Sequence, residues 1–251
     1  MSNPSNIVSI LDPQIPVDQS IYESSSTQKA KLGTRLVVGD RVFRYAKVKG
    51  TGAEGGEVLC CPIATASHAS GILTVSAATT GATIVHCTAS VAVAAGVYDE
   101  GYLAISSTGL AGGGLMLRVK KQGASVAAGS AIPITLYDPI PTAIGAGWAS
   151  LVPCLYNGVA RGTTLTSLAA GVSQVVVSSG YFGWIQTWGP AAVKMSAGHA
   201  AGLILYVGAS GGAAGVVAIT ELTAGGMAIG KNMNLAATGS YSEPCYLTIA
   251  P

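Results

Sequence analysis

Hydrophobic and polar positions alternate with a period of two over short runs, and turn residues separate the runs. Residues 36–43 read as a strand, a Gly39-Asp40 turn and a second strand. Residues 72–75 and 83–87 flank a turn at 77–81 in a hairpin pattern. Further runs lie at 101–105, 115–120 and 132–137, and Pro133 predicts an edge strand for the last because proline donates no ladder hydrogen bond. The second half continues in the same style, with runs at 175–177, 203–207, 215–219 and 245–249. No long window carries a helical period. Short strands at regular spacing with glycine-rich turns predict an all-β fold, a sandwich or barrel, with an extended N-terminal arm.

One stretch stands apart, residues 180–193. In extended chain Phe182, Trp184, Gln186 and Trp188 fall on one face, and Tyr181, Gly183, Ile185 and Thr187 on the other. Two of the three tryptophans lie here, in a chain with only 6% aromatic residues, so this strand is expected at a core or a subunit interface. Tyr181, Phe182, Trp184 and Trp188 are the candidates for that role. Gly189-Pro190 is expected to stop its ladder.

The pattern divides the chain into an extended arm over 1–30, a β lobe over 31–140 and a second β lobe over 141–251, or one composite domain in place of the two lobes. Pro4, Pro13 and Pro16 discourage helix in the arm, and residues 24–28 read as a flexible linker. Ile7, Ile10 and Leu11 would be wasted in solvent, which favours an arm laid on a neighbouring subunit over a frayed end.

Charge sharpens one region. Seven of the thirteen basic residues fall between Lys29 and Lys49 against the single acid Asp40. Arg35, Arg41, Arg44 and Lys47 are the candidates for contact with a partner. Basic residues interleaved with Phe43 and Tyr45 suit nucleic acid, an acidic protein surface, or a solvated edge strand guarded against aggregation. The last carries the most weight and nucleic acid the least, because no nucleic-acid motif accompanies the hairpin.

Composition narrows the class. Charged residues make up 10% against about 25% in ordinary soluble domains, and there are 34 glycines. No run supplies the roughly 20 apolar residues of a spanning helix, so no membrane partner is expected. A chain with so little charge is expected in an assembly. The N-terminus lacks the features of a secretory signal, and the odd set Cys60, Cys61, Cys87, Cys154 and Cys245 has no zinc or redox spacing, which fits reduced thiols in a cytosol.

The sequence nominates no catalytic group. His68, His86 and His199 have no second histidine or carboxylate at ligand spacing and read as structural. The GxGxxG at 50–55 is followed by strand-like residues rather than by the helix a dinucleotide needs, so it reads as a hairpin loop. Cys60 and Cys61 point to opposite faces of that strand and would not share a metal. Asp99-Glu100 is an adjacent pair facing apart. Trp184 and Trp188 would stack on a sugar if exposed, but their setting favours core. No cofactor or metal is expected, nor enzymatic activity.

Several blocks in order along the chain resemble structural proteins of tailed bacteriophages. They are Leu32-Gly33-Thr34-Arg35 with residues 39–45, residues 135–139, residues 153–158, residues 180–192 and Tyr246-Leu247-Thr248-Ile249. The chain is similar to capsid decoration (cement) proteins. The resemblance implies a virion protein made in the host cytoplasm, a homotrimer on the outer capsid surface whose partner is the major capsid protein. It also implies an arm reaching neighbours and a basic hairpin meeting the shell. The alternative is a tail, fibre or head-surface protein contacting host glycans.

Overall fold

The computed structural model describes residues 19–62, 66–68, 72–106, 113–124, 127–162, 168–195, 202–207, 214–216, 227–233 and 242–251. The chain opens with β1 (Ser24–Ser25), β2 (Arg35–Val38), β3 (Arg41–Val48) and β4 (Val58–Cys60). It then builds a compact unit over Ile63–Cys154, which holds β5 (Thr74–Val75), β6 (Ile84–Thr88), β7 (Tyr102–Ile105), β8 (Met116–Gln122), β9 (Ala131–Leu136) and β10 (Gly147–Val152). It returns for β11 (Asn157–Arg161), β12 (Ala169–Ser173), β13 (Phe182–Lys194), β14 (Ile204–Val207), β15 (Ala214–Val216), β16 (Ala228–Asn232) and β17 (Ser242–Thr248). The all-β expectation is met, and no helix among the described residues is long and apolar enough to cross a membrane.

The unit over Ile63–Cys154 is a closed barrel in the order β10-β5-β6-β9-β8-β7, sealed by pairing of β7 with β10. Alternation along each strand sends one set of side chains inward. Leu73, Val85, Cys87, Leu103, Val119, Ile132, Ile134 and Leu151 fill the interior. Closure makes β9 a paired strand rather than the edge that Pro133 predicts, with β6 on one side and β8 on the other. The proline is accommodated where β8 ends: Gly123 N donates to the Pro133 carbonyl, and a side chain on Gly123 would strike the Pro133 ring at 2.6 Å. The units divide the chain differently from sequential lobes over 31–140 and 141–251, because β10 is needed to close this barrel and the other unit joins Met1–Pro62 with Leu155–Pro251.

That second unit is organised by β13, the stretch singled out in the sequence. β13 pairs with β1, β3, β12 and β17. Its first half closes a circuit of five strands, β3-β13-β12-β4-β11 and back to β3. Ala46, Leu59, Val159, Ala170 and Ile185, one from each of these strands, share the circuit's core. The second half carries β17, and β16, β14 and β15 follow outward. Val193, Leu205, Ile229, Cys245 and Leu247 build a second core there, joined by Val58 and Cys60. Cys60 and Cys61 enter different cores, as their alternation requires, and all five cysteines are buried free thiols.

β13 runs through Gly189-Pro190 instead of stopping there. Lys194 N donates to Gly56 O, away from β17, and Pro190, four residues earlier on the strand, faces the same way. Its missing N–H therefore costs β17 no hydrogen bond. Gly189 sits at φ +83°, and a Cβ there would lie 2.4 Å from Asp40 O. The predicted run at 175–177 is not a strand but contributes one bridge, Ala53 to Val177. Of the run at 215–219, residues 217–219 lie outside the described residues.

Two outcomes follow. Gly189→Ala combines a left-handed φ with a backbone collision and should lower stability in urea unfolding by more than about 1 kcal/mol. In the barrel, His68 is buried, its Nδ1 hydrogen-bonds the Tyr98 hydroxyl, and its Nε2 has no partner among the described residues. Burial holds its pKa below the ordinary histidine value. The unfolded chain therefore takes up a proton near pH 6.5 that the folded chain resists, so stability is whole above that pH and declines below it. Urea midpoints measured across that range should fall with acid more steeply for the native chain than for His68→Asn.

Candidate functional site

The outer face of the β3–β13 pair is aromatic because both strands alternate in phase. Trp184 lies opposite Tyr45, Gln186 opposite Phe43 and Phe182 opposite Lys47. Tyr45 meets Trp184 edge-on at 5.0 Å between centroids and stacks on Phe182 at 6.2 Å. Cations border the cluster: Lys47 Nζ is 5.4 Å from the Phe182 ring and Arg41 Cζ is 5.5 Å from the Phe43 ring. A bare face of this kind would hold large apolar area in water. Here Phe43, Tyr45, Phe182 and Trp184 are all buried.

Hydrogen bonds tie residues 19–29 to this face. Gln19 is the fastening. Its Nε2 donates to Glu23 O at 2.9 Å and to Phe182 O at 3.2 Å, and its Oε1 accepts from Tyr45 Oη at 2.7 Å. Its carbonyl accepts from Trp184 Nε1 at 3.2 Å. Lys29 N donates to Tyr45 Oη at 3.0 Å. Burial raises the Tyr45 pKa, opposed by the Lys29 N–H, so the phenol remains a neutral donor. Ser24 and Ser25 pair with Gly183 and Phe182 as β1, so the residues read as a flexible linker add a short strand to β13. Gln19, the first described residue, is thus buried and fixed to the body.

The candidate contact residues fall into three groups. Ile7, Ile10 and Leu11 lie outside the described residues. Arg41 borders the aromatic face and donates to Tyr22 Oη at 3.2 Å, and Lys47 borders it at the other end. Arg35 and Arg44 face each other across β2 and β3. Arg44 is half-buried; it donates to Gly33 O at 3.2 Å and Pro251 O at 3.3 Å, while its Nε has no partner among the described residues. The hairpin exists as expected, with Gly39 at φ +63° in its two-residue turn, but β3 is no solvated edge: β2, β11 and β13 all pair with it, and of the two hairpin strands β2 is the one at an end of the sheet. Phe182 and Trp184 are core. Trp188 is half-buried against Tyr246 at 6.0 Å, and Tyr181 is 39% exposed.

A second polar cluster had no sequence signal beyond Glu54 and Glu57 in a glycine-rich loop. Glu57 is fully buried, 2.8 Å from Arg161 Nε and 3.3 Å from Lys194 Nζ. Glu54 is 2.9 Å from the same Lys194, whose hydrogen bond holds the Glu54 carboxyl below its usual range. The two cations clamp the loop before β4 to β11 and β13. Both carboxylates are engaged as anions, an arrangement suited to holding strands. Among the described residues no group of three His, Cys, Asp or Glu is placed to hold a metal.

Trp184→Ala should cost about 3–5 kcal/mol in urea unfolding, the range for a buried large aromatic. Gln19→Ala strands the Tyr45 hydroxyl donor and should cost about 1–3 kcal/mol. A change near zero in either would mean that the segment does not cover the aromatic face. Comparison with protein-family models, with curated proteins and with solved structures finds no match to this chain.

Proposed function

We propose that this chain is a structural protein of a tailed-bacteriophage virion, a decoration (cement) protein that binds the outer capsid surface and stabilises contacts between capsomers. Its partners in this reading are the major capsid protein and further copies of itself, as a homotrimer. It is made in the host cytoplasm, ends on the capsid surface and performs no catalysis. The resemblance of the sequence blocks motivates the reading. The observation that carries it is the fastening of Gln19, which gives an N-terminal arm a rigid root. An arm can clamp a neighbour only if its root does not yield, and many weak arms on one shell add up through multivalency. The arm of this reading is residues 1–18, since residues 19–30 cover the chain's own aromatic face.

A second reading, a tail, fibre or head-surface protein contacting host glycans, draws on a different tryptophan from the two in β13. Trp148 on β10 is 46% exposed, with Tyr102 and Met116 exposed on neighbouring strands of the same barrel.

Capsids lacking the protein, mixed with the purified chain over a concentration series, should bind it to saturation at a fixed number of copies per shell. A chain beginning at Gln19 should stay folded and bind more weakly, whereas one beginning at Lys31 should lose stability as well. Equal binding by the full chain and the chain from Gln19 would contradict the arm. Absence of binding, together with glycan binding that Trp148→Ala removes, would replace the capsid reading by the second.

A further inference from the structure

We propose that residues 7–11 of one copy add as a strand to the outer edge of β2 in a second copy. The inference rests on the arm of the reading above but not on a capsid.

The acceptor is β2. It ends the path of the sheet and pairs only with β3 among the described residues. In an antiparallel ladder successive residues turn their N–H and C=O groups to opposite sides. The tight turn pairs Val38 with Arg41, so Leu36 and Val38 spend their main-chain groups on β3 and those of Arg35 and Val37 point outward. Two donors and two acceptors on an uncovered strand form a template for another strand. No proline or bulge blunts this edge.

The donor is chosen by pattern and charge. Ile7-Val8-Ser9-Ile10-Leu11 is a β-forming run, followed by Asp12. Residues 1–18 carry two acids, Asp12 and Asp18, and no lysine or arginine, while the window from Lys29 to Lys49 carries seven bases against one acid. Arg35 and Arg44, directly opposite on β2 and β3, form a like-charge pair that no Asp or Glu side chain meets among the described residues; Arg44 donates to the main-chain oxygens of Gly33 and Pro251. An acidic segment on this edge would relieve that repulsion.

Reach selects a second copy. Residues 12–18 contain Pro13 and Pro16, which favour extended backbone at about 3.1 Å per residue, so the tether spans about 20 Å from Gln19. Only β3 lies between β13 and β2, a separation of about 10 Å at the usual strand spacing. A tether about twice that length lets the donor reach past its own edge to a second copy.

The test uses the full chain. Its native cysteines are all buried, so introduced ones react selectively. Ile10→Cys and Val38→Cys are made in separate chains, mixed, and treated with a short bismaleimide. The proposal expects a dimer-sized product well above that from Ile10→Cys mixed with the exposed-site control Met116→Cys. It also expects loss of that product when Val37→Pro, which removes an outward N–H that β3 does not use, is added to the Val38→Cys chain. A yield no higher than the control overturns the proposal. So does a product formed only within single chains that carry both cysteines, or a product that survives Val37→Pro. None of these outcomes depends on whether the protein binds capsids.

Discussion

The unit built around β13 depends on covering one aromatic face. β13 and β3 alternate in phase, so the register that puts Ile185 and Ala46 into the five-strand circuit puts Trp184, Phe182, Tyr45 and Phe43 on its outside. A one-residue slip would exchange the two sets. The outside set cannot face water cheaply, and the chain solves the problem with its own residues 19–30, where Gln19 supplies hydrogen bonds to the indole, the phenol and the main chain of β13. The packing constraint and the fastening of Gln19 are therefore one feature.

In the unit built around β13 a fully buried carboxylate sits where strands must be clamped. Glu57 with Arg161 and Lys194 is such a place, joining a loop, β11 and β13 in one cluster. A fully buried carboxylate is tolerated because two cations meet it. For a protein proposed to sit in a shell, such clamping serves the rigidity of the body.

Much of the fold was legible. The runs at 83–87, 101–105, 115–120 and 132–137 stand out because one face of each strand there is wet and the other buried, which writes a period of two into the sequence. β4 and β12 are buried on both faces and so carry no alternation; β12, made of Ala169, Ala170, Gly171, Val172 and Ser173, escaped notice for that reason. Proline misled twice, at Pro133 and Pro190, because whether a missing N–H matters depends on which side of the strand has a partner. The aromatic stretch is expected at a core or a subunit interface, and Phe182 and Trp184 are buried, but nothing local to Gln19 marks it as the residue that closes that core. Its partners lie 26 residues away at Tyr45 and 163 away at Phe182.

The most direct test of this account is hydrogen exchange at the Trp184 indole, compared with the backbone amides of Phe182–Trp188. If residues 19–30 are part of the core, the indole N–H, bonded to Gln19 O, exchanges with these amides and only by global unfolding. An indole that exchanges quickly while the strand amides stay protected would show that the segment peels away by itself, and the fixed root on which the functional proposal stands would be lost.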